Sequence, residues 1–249
     1  MDYHISATCW SSIYAFFKSQ KGLHTKNESK LRIFIESCWY ILRTGCQWRL
    51  LPKYYGNFRS IHKKFKRWAE RNIWSQLMNY VSDIDFQELM IDSTIVRAHA
   101  CASGQTLNGN KVHALGRSVG GFTTRIHAIV DALGNPITFR LTEGKEHDIP
   151  VAYQLLKYVK HTTILADKAY YSDKMKKMLT NNHCEVVIPS RSNAVIPHQF
   201  DKHTYKERHL IECFFSKIKQ FRRVFSRFDK TVEAYIGFLS FAGALIWLR

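Results

Sequence analysis

Apolar residues recur at helical spacing in the first third of the chain and at strand spacing after it. Over 30–42 they fall at Leu31, Phe34, Ile35, Cys38, Ile41 and Leu42, the stagger of an amphipathic helix. Gly45 and Pro52 punctuate the stretch after it. A second helix is expected over 60–74, with Ile61, Phe65, Trp68 and Ile73 on one face. Its other face carries Lys63, Lys64, Lys66, Arg67 and Arg71. From about residue 86 the texture changes to β-branched and aromatic runs, and 88–96, 125–131, 136–142, 162–166 and 185–189 read as strands. Leu133-Gly134-Asn135 joins the second and third as a hairpin. Asp148 is placed to cap a helix starting at Ile149, with Pro150 in its first turn. Further helices are expected over 172–181, around Glu212, and from about Val232. The order from residue 86 is β-β-β-α-β-α-β-α-α, so the reading is a helical domain over 1–83 and an α/β domain over 84–249.

Charge narrows the partners. Lys and Arg total 37 against 20 Asp and Glu, a net +17 over 249 residues, which calls for a polyanion: nucleic acid or anionic lipid. The longest apolar stretch, 235–248, falls short of the roughly 20 residues that span a bilayer, so no membrane partner is expected. It reads as a buried C-terminal helix. The start, MDYHISATCW, has neither the basic n-region nor the apolar run of a signal peptide. The six cysteines are scattered without a CxxC pair, which points to reduced cytoplasmic thiols rather than disulfides or zinc. The basic face over 60–74 fits either the second member of a helix-turn-helix or the solvated rim of a small bundle.

The least bland feature is Tyr205, Arg208, Glu212 and Lys219. At about 100° per residue these steps of three, four and seven fall within an arc of roughly 60° on one helix. The apolar Leu210, Phe214, Ile218, Phe221 and Phe225 cluster on the other side. An Arg208–Glu212 pair on a solvated face would also explain part of the stripe.

The spacing Tyr-x2-Arg-x3-Glu-x6-Lys resembles the signature around the third acidic residue of bacterial insertion-sequence DDE transposases. Leu89–His99 (LMIDSTIVRAH) resembles the family's first-aspartate strand, and Ile164–Tyr170 (ILADKAY) the second. Gly116–Thr142 and the ending from Tyr205 to Arg249 are similar too, and Leu42–Leu51 (LRTGCQWRLL) resembles the N-terminal domain of the insertion-sequence-five subgroup. The resemblance implies a ribonuclease-H-like catalytic domain, a mixed sheet flanked by helices, preceded by a small all-α domain that contacts DNA.

Asp92 and Asp167 each sit in or at the end of an apolar strand, where a carboxylate is costly unless paired or bound to metal. Either alone could be a helix cap or a core ion-pair partner. Together with Glu212 they form three mutually repelling charges, a conflict that hard divalent cations, Mg²⁺ or Mn²⁺, resolve. Two such ions can drive in-line displacement at phosphorus.

By resemblance, Asp92, Asp167 and Glu212 are the metal ligands and catalytic carboxylates. Tyr205, Arg208, Lys219, Arg222 and Arg223 are DNA contacts in the catalytic part, and Lys63, Lys64 and Arg67 in the N-terminal helix. The implied partners are the element's terminal repeats and target, as double-stranded DNA, bound by a homodimer. A hydrolytic nuclease of the same fold and a domesticated DNA-binding protein are the alternatives. The sequence departs from the family at Val119, where Arg is common, and at Ala169, where Gly is common. If that turn needs a positive φ, Ala169 is strained; otherwise Ala adopts an ordinary helical conformation.

Overall fold

The computed structural model describes residues 3–23, 27–102, 114–118, 121–190 and 199–249; Val119 lies outside these. The described helices are α1 (Ala7–Ser19), α2 (Glu28–Thr44), α3 (Phe58–Glu70), α4 (Ile73–Val81), α5 (Asp148–Leu156), α6 (Asp173–Asn181), α7 (His209–Ile218), α8 (Arg222–Phe225) and α9 (Val232–Trp247). The strands are β1 (Glu88–Ala98), β2 (Gly116–Ser118), β3 (Gly121–Val130), β4 (Pro136–Glu143), β5 (Thr163–Ala166), β6 (Glu185–Val187) and β7 (Ser226–Arg227). Contacts divide the chain into two compact units: 1–83 with 97–113 and 218–249, and 84–96 with 114–217.

The second unit is built on a mixed sheet of order β2-β3-β1-β5-β6, with β4 also paired to β3. β1, β5 and β6 run parallel, and β3–β4 is an antiparallel hairpin. Its turn is held by Asp131, whose carboxylate accepts from the Leu133 and Asn135 backbone N–H groups. Leu89 and Ile91 alternate onto one face of β1, where Ala152, Leu156, Met175 and Leu179 from α5 and α6 complete a core. Met90 and Asp92 take the opposite face. On α7, Ile211 and Phe214 are buried, and Phe214 stacks on Phe139 of β4 at 5.9 Å.

The first unit is a helical cluster in which α9 packs against α3 and α4. That packing separates the compact units from the sequence cut expected at residue 83, because α9 is apolar on nearly every side. Tyr235, Phe238, Leu239, Phe241 and Ala242 are all inaccessible to solvent, and a helix apolar all round must be enclosed. Phe238 stacks on Phe65 at 4.2 Å and Phe241 lies 4.9 Å from Trp74. Gly237 permits this approach: a Cβ there would stand 3.0 Å from Trp74 and 3.2 Å from Ala69. Among the described residues no helix is long and apolar enough to cross a membrane.

Two sequence expectations fail in the first unit. The helix expected over 60–74 is broken after Glu70, where Asn72 takes φ 55° and α4 begins. Asn tolerates that left-handed conformation and so redirects the chain. The connection between α2 and α3 is no tight turn. After Gly45, left-handed at φ 67°, it contains two 3₁₀ segments, Trp48–Leu50 and Lys53–Tyr55.

Candidate active site

Register brings the two aspartates together. Ile91 pairs with Ala166 where β1 and β5 run parallel, so Asp92, midway along β1, and Asp167, just past the end of β5, follow side by side, with backbones about one strand spacing (~4.8 Å) apart. Asp92 is half-buried, and its Oδ1 accepts from the Ser93 N–H at 2.7 Å. Burial pushes the Asp92 carboxyl above the usual carboxylate range, and the neighbouring Asp167 and Asp148 add to this. The Ser93 N–H and Arg208 oppose it.

Glu212 comes from α7 and is exposed. Arg208 links it to Asp92: its Nη1 lies 3.4 Å from Asp92 Oδ2 and its Nη2 donates to Glu212 Oε1. Burial works against the charge on Arg208. The bond to Glu212, with the fields of Tyr205, Glu212 and Asp92, outweighs it and holds the pKa above the ordinary arginine value. Among the described residues, no three carboxylate, imidazole or thiol groups already converge as a metal cage. What exists is a row of carboxylates with one guanidinium between Asp92 and Glu212, which offsets one of the three negative charges. These are all hard oxygen donors, the kind that fits Mg²⁺ or Mn²⁺.

The four-residue stripe does not lie on one helix. Tyr205 and Arg208 belong to a 3₁₀ segment, Thr204–Arg208, and Lys219 follows the end of α7. A 3₁₀ turn advances about 120° per residue, so the helical arithmetic fails across the junction. Arg208 and Glu212 remain neighbours, with the Arg208 guanidinium 5.8 Å from the Tyr205 ring centre. Lys219 belongs to the other compact unit.

The basic residues also part company. Arg223 is buried in a two-bond pair with Asp229, at 2.9 and 2.7 Å, and is withdrawn from any DNA surface. Arg227 is buried too, donating to the Asp229 carbonyl at 2.9 Å. Arg222, Lys63 and Arg67 are exposed. Lys64 is half-buried, its Nζ 4.2 Å from the Phe34 ring centre and 4.8 Å from that of Trp68. Burial lowers its pKa, and it is as much a packing residue as a cation.

A polar group behind Asp92 is not legible in the sequence. Asp148 does not cap α5; the N-cap is His147, with no side-chain bond. Its carboxylate instead takes Arg125 Nη1 at 2.8 Å on both oxygens and Ser93 Oγ at 2.7 Å. His127, wholly buried on β3, bonds Thr142 through Nε2 at 2.9 Å, and burial lowers its pKa to about 4. The only sequence signal is alternation: Arg125 and His127 lie two apart on one strand, as do Ser93 and Ile91.

Ala169 sits in a 3₁₀ turn, Lys168–Tyr170, and is not among the residues with positive φ. The strain hypothesis for this departure is therefore rejected. Ala169→Gly is expected to leave the cleavage rate unchanged and to lower stability by up to about 1 kcal/mol, through the greater freedom of the unfolded chain. Melting temperature and cleavage rate measured on the same preparation check both halves.

Residues 5–78 match the family described as "Putative transposase of IS4/5 family", and residues 85–245 match "Transposase DDE domain". The chain is 42% identical over 132 residues to "Putative transposase for insertion sequence element IS6501" of Brucella ovis, which covers 51% of this chain and 99% of that protein. It is 34% identical over 100 residues to "Uncharacterized protein y4sN" of Sinorhizobium fredii, covering 38% of this chain and 77% of that one. Among solved structures, the piggyBac transposase synaptic complex with hairpin DNA aligns over 77% of this chain and 50% of its own, at 12% identity and a TM-score of 0.41. The chain thus spans about half the length of that protein. The Mos1 strand transfer complex aligns over 86% and 76%, at 12% identity and a TM-score of 0.29. The DDE-domain match covers well over half the sequence, and the chain belongs to the IS4/5 family of DDE transposases, enzymes that cut DNA strands and join them elsewhere.

Proposed function

We propose that Asp92, Asp167 and Glu212 are the catalytic carboxylates and hold two divalent cations, Mg²⁺ or Mn²⁺, for cleavage and strand transfer at the ends of an insertion sequence. The observation that carries this reading is the side-by-side placement of Asp92 and Asp167 on the adjacent parallel strands β1 and β5, with Glu212 tied to Asp92 through Arg208. Neighbouring carboxylates repel each other, and Asp167 adds in this way to the burial that raises the pKa of Asp92. Asp92, Asp167 and Glu212 would hold the cations, which when bound would supply Lewis-acid stabilisation to the attacking and leaving oxygens at phosphorus.

The chain's own groups do the rest. Arg208 holds Glu212 beside Asp92, and ligation by all three carboxylates requires that pair to open. Its guanidinium is then available to a phosphate oxygen, for which its planar fork is suited. Tyr205 keeps it on that side. The network of Asp148, Arg125 and Ser93 fixes the strand next to Asp92.

The substrates in this reading are double-stranded terminal repeats and target DNA, bound by a homodimer, with 1–83 recognising DNA and 84–249 carrying the chemistry. The test is a labelled duplex ending in the element's own repeats, incubated with Mg²⁺. Joined products support a transposase; cutting without joining indicates a nuclease, and binding alone a DNA-binding protein.

The N-terminal contacts have their own test. Replacing Lys63 and Arg67 with Ala is expected to lower the slope of log affinity against log salt by about two units. Adding Lys64→Ala is expected to change the slope little and the melting temperature more, because its ammonium lies over Phe34 and Trp68. An unchanged slope in the double variant would make this face a solvated rim.

A further inference from the structure

The hydroxyl of Tyr170 is a buried polar group that the fold does not use. Tyr170 is 2% exposed and packs in one core with Ile91, Ala152 and Ala166. Its oxygen is buried too, with no partner in good hydrogen-bond geometry. The groups around it are Asp148, Asp92, Ser93 and Arg125. Burial, with the two carboxylates beside it, raises its pKa and keeps the phenol protonated. What it offers is therefore a proton to a neighbouring oxygen. A buried polar group without a firm bond costs stability, and phenylalanine would fill the same space without that cost.

Tyr170 also reaches the other aspartate. Its backbone N–H donates to the Asp167 carbonyl at 2.9 Å and closes the turn that follows β5. Ser93 does the corresponding work on β1. Its hydroxyl donates to Asp148 Oδ1 at 2.7 Å, at the start of α5, while its N–H holds Asp92 Oδ1 at 2.7 Å. Asp148 is fixed in turn by Arg125 Nη1, 2.8 Å from both of its oxygens. One polar cluster thus stands behind both aspartate-bearing segments.

We propose that Tyr170, Ser93 and Asp148 are positioning residues that set the placement of Asp92 relative to Asp167 and so fit the pair to a small divalent cation. The inference rests on the reading of the two aspartates as cation ligands, and concerns side chains that ligate nothing themselves. Mg²⁺ demands near-ideal octahedral geometry, whereas Ca²⁺ accepts more oxygens in looser arrangements. A clamp on two carboxylates therefore matters more to Mg²⁺ than to Ca²⁺. Groups behind the ligands of a metal site tune its affinity by fixing ligand orientation.

The test titrates the full-length protein with Mn²⁺, reading the free ion by electron paramagnetic resonance. Mg²⁺ and Ca²⁺ are then read by displacement of bound Mn²⁺, with melting temperature measured in parallel. The wild type is expected to bind Mn²⁺ and Asp92→Ala to lose it. Ser93→Ala and Asp148→Asn are expected to weaken Mn²⁺ and Mg²⁺ about 10- to 100-fold, and Ca²⁺ less. Ser93→Thr keeps the hydroxyl and is expected to stay near the wild type. Tyr170→Phe separates the two roles most cleanly. A merely structural tyrosine predicts an equal or higher melting temperature with unchanged ion affinity; a positioning one predicts weaker Mg²⁺ binding at that same melting temperature. Unchanged Mg²⁺ affinity in Tyr170→Phe or Ser93→Ala, or an equal loss of Mg²⁺ and Ca²⁺, would overturn the proposal while leaving the carboxylates as ligands. If the wild type binds no Mn²⁺, or Asp92→Ala binds it equally well, the reading beneath the proposal fails instead.

Discussion

Asp92→Ala, Asp167→Ala and Glu212→Ala are each expected to reduce Mg²⁺-dependent strand cleavage by about a thousandfold or more, which corresponds to roughly 4 kcal/mol or more of transition-state stabilisation. Arg208 bridges Asp92 and Glu212, and Asp167 follows beside Asp92 on the next strand, so as one site their effects should not add. A double variant is expected to be hardly worse than the single ones. DNA affinity should hold or rise slightly, since each change removes a negative charge from a basic protein. Single-turnover cleavage of a terminal-repeat duplex, with binding measured in parallel, checks the expectation. A variant that keeps substantial cutting removes that residue from the catalytic set.

The second large effect is on stability. Asp229→Ala leaves the Arg223 guanidinium buried without its carboxylate; the two side chains are 5% and 6% exposed and joined by two hydrogen bonds. Orphaning one member of such a pair costs about 3–5 kcal/mol. For a protein of this size that is a fall in melting temperature of roughly 10 °C. Arg223 also donates to the Cys46 carbonyl and lies over Phe228 and Phe238, so the loss reaches α9 and the connection after α2. Replacing both partners by apolar residues of similar size is expected to recover most of the loss, because no charge is then left buried. Thermal melts of the single and double variants decide it: if Asp229→Ala melts with the wild type, the pair is not holding this unit together.

These effects divide along the line between what is local and what is not. Strand and helix positions are legible because burial imposes a period on neighbouring residues. The strands at Glu88, Pro136 and Thr163 begin within a residue of where the pattern places them. Ser172, which the sequence reading makes the first residue of a helix, caps α6 through its hydroxyl one residue before the helix begins. Asp148 misleads for the same reason that Ser172 does not. Its position fits a cap, but Arg125 and Ser93, far away in sequence, offer its carboxylate stronger partners.

The basic residues after Glu212 show the limit most sharply. Arg222, Arg223 and Arg227 are alike in sequence, and the first two are read there as DNA contacts. A break in the helix at Gln220 turns Arg223 and Arg227 inward to Asp229 and leaves Arg222 in water. That break is a matter of a few backbone angles, and composition carries no trace of it. The same break exposes Phe225, which the helical period assigns to the core.

By itself the sequence determined the family and the order of the longer elements, and it singled out the three carboxylates proposed as catalytic, because apolar periodicity and motif spacing are properties of neighbouring residues. Tertiary structure alone decided that Asp92 and Asp167 stand side by side on adjacent parallel strands, that Arg208 stands between Asp92 and Glu212, and which cations face water. Those outcomes depend on pairings between residues distant along the chain, where a charge settles with whichever opposite charge the backbone delivers to it under cover from solvent.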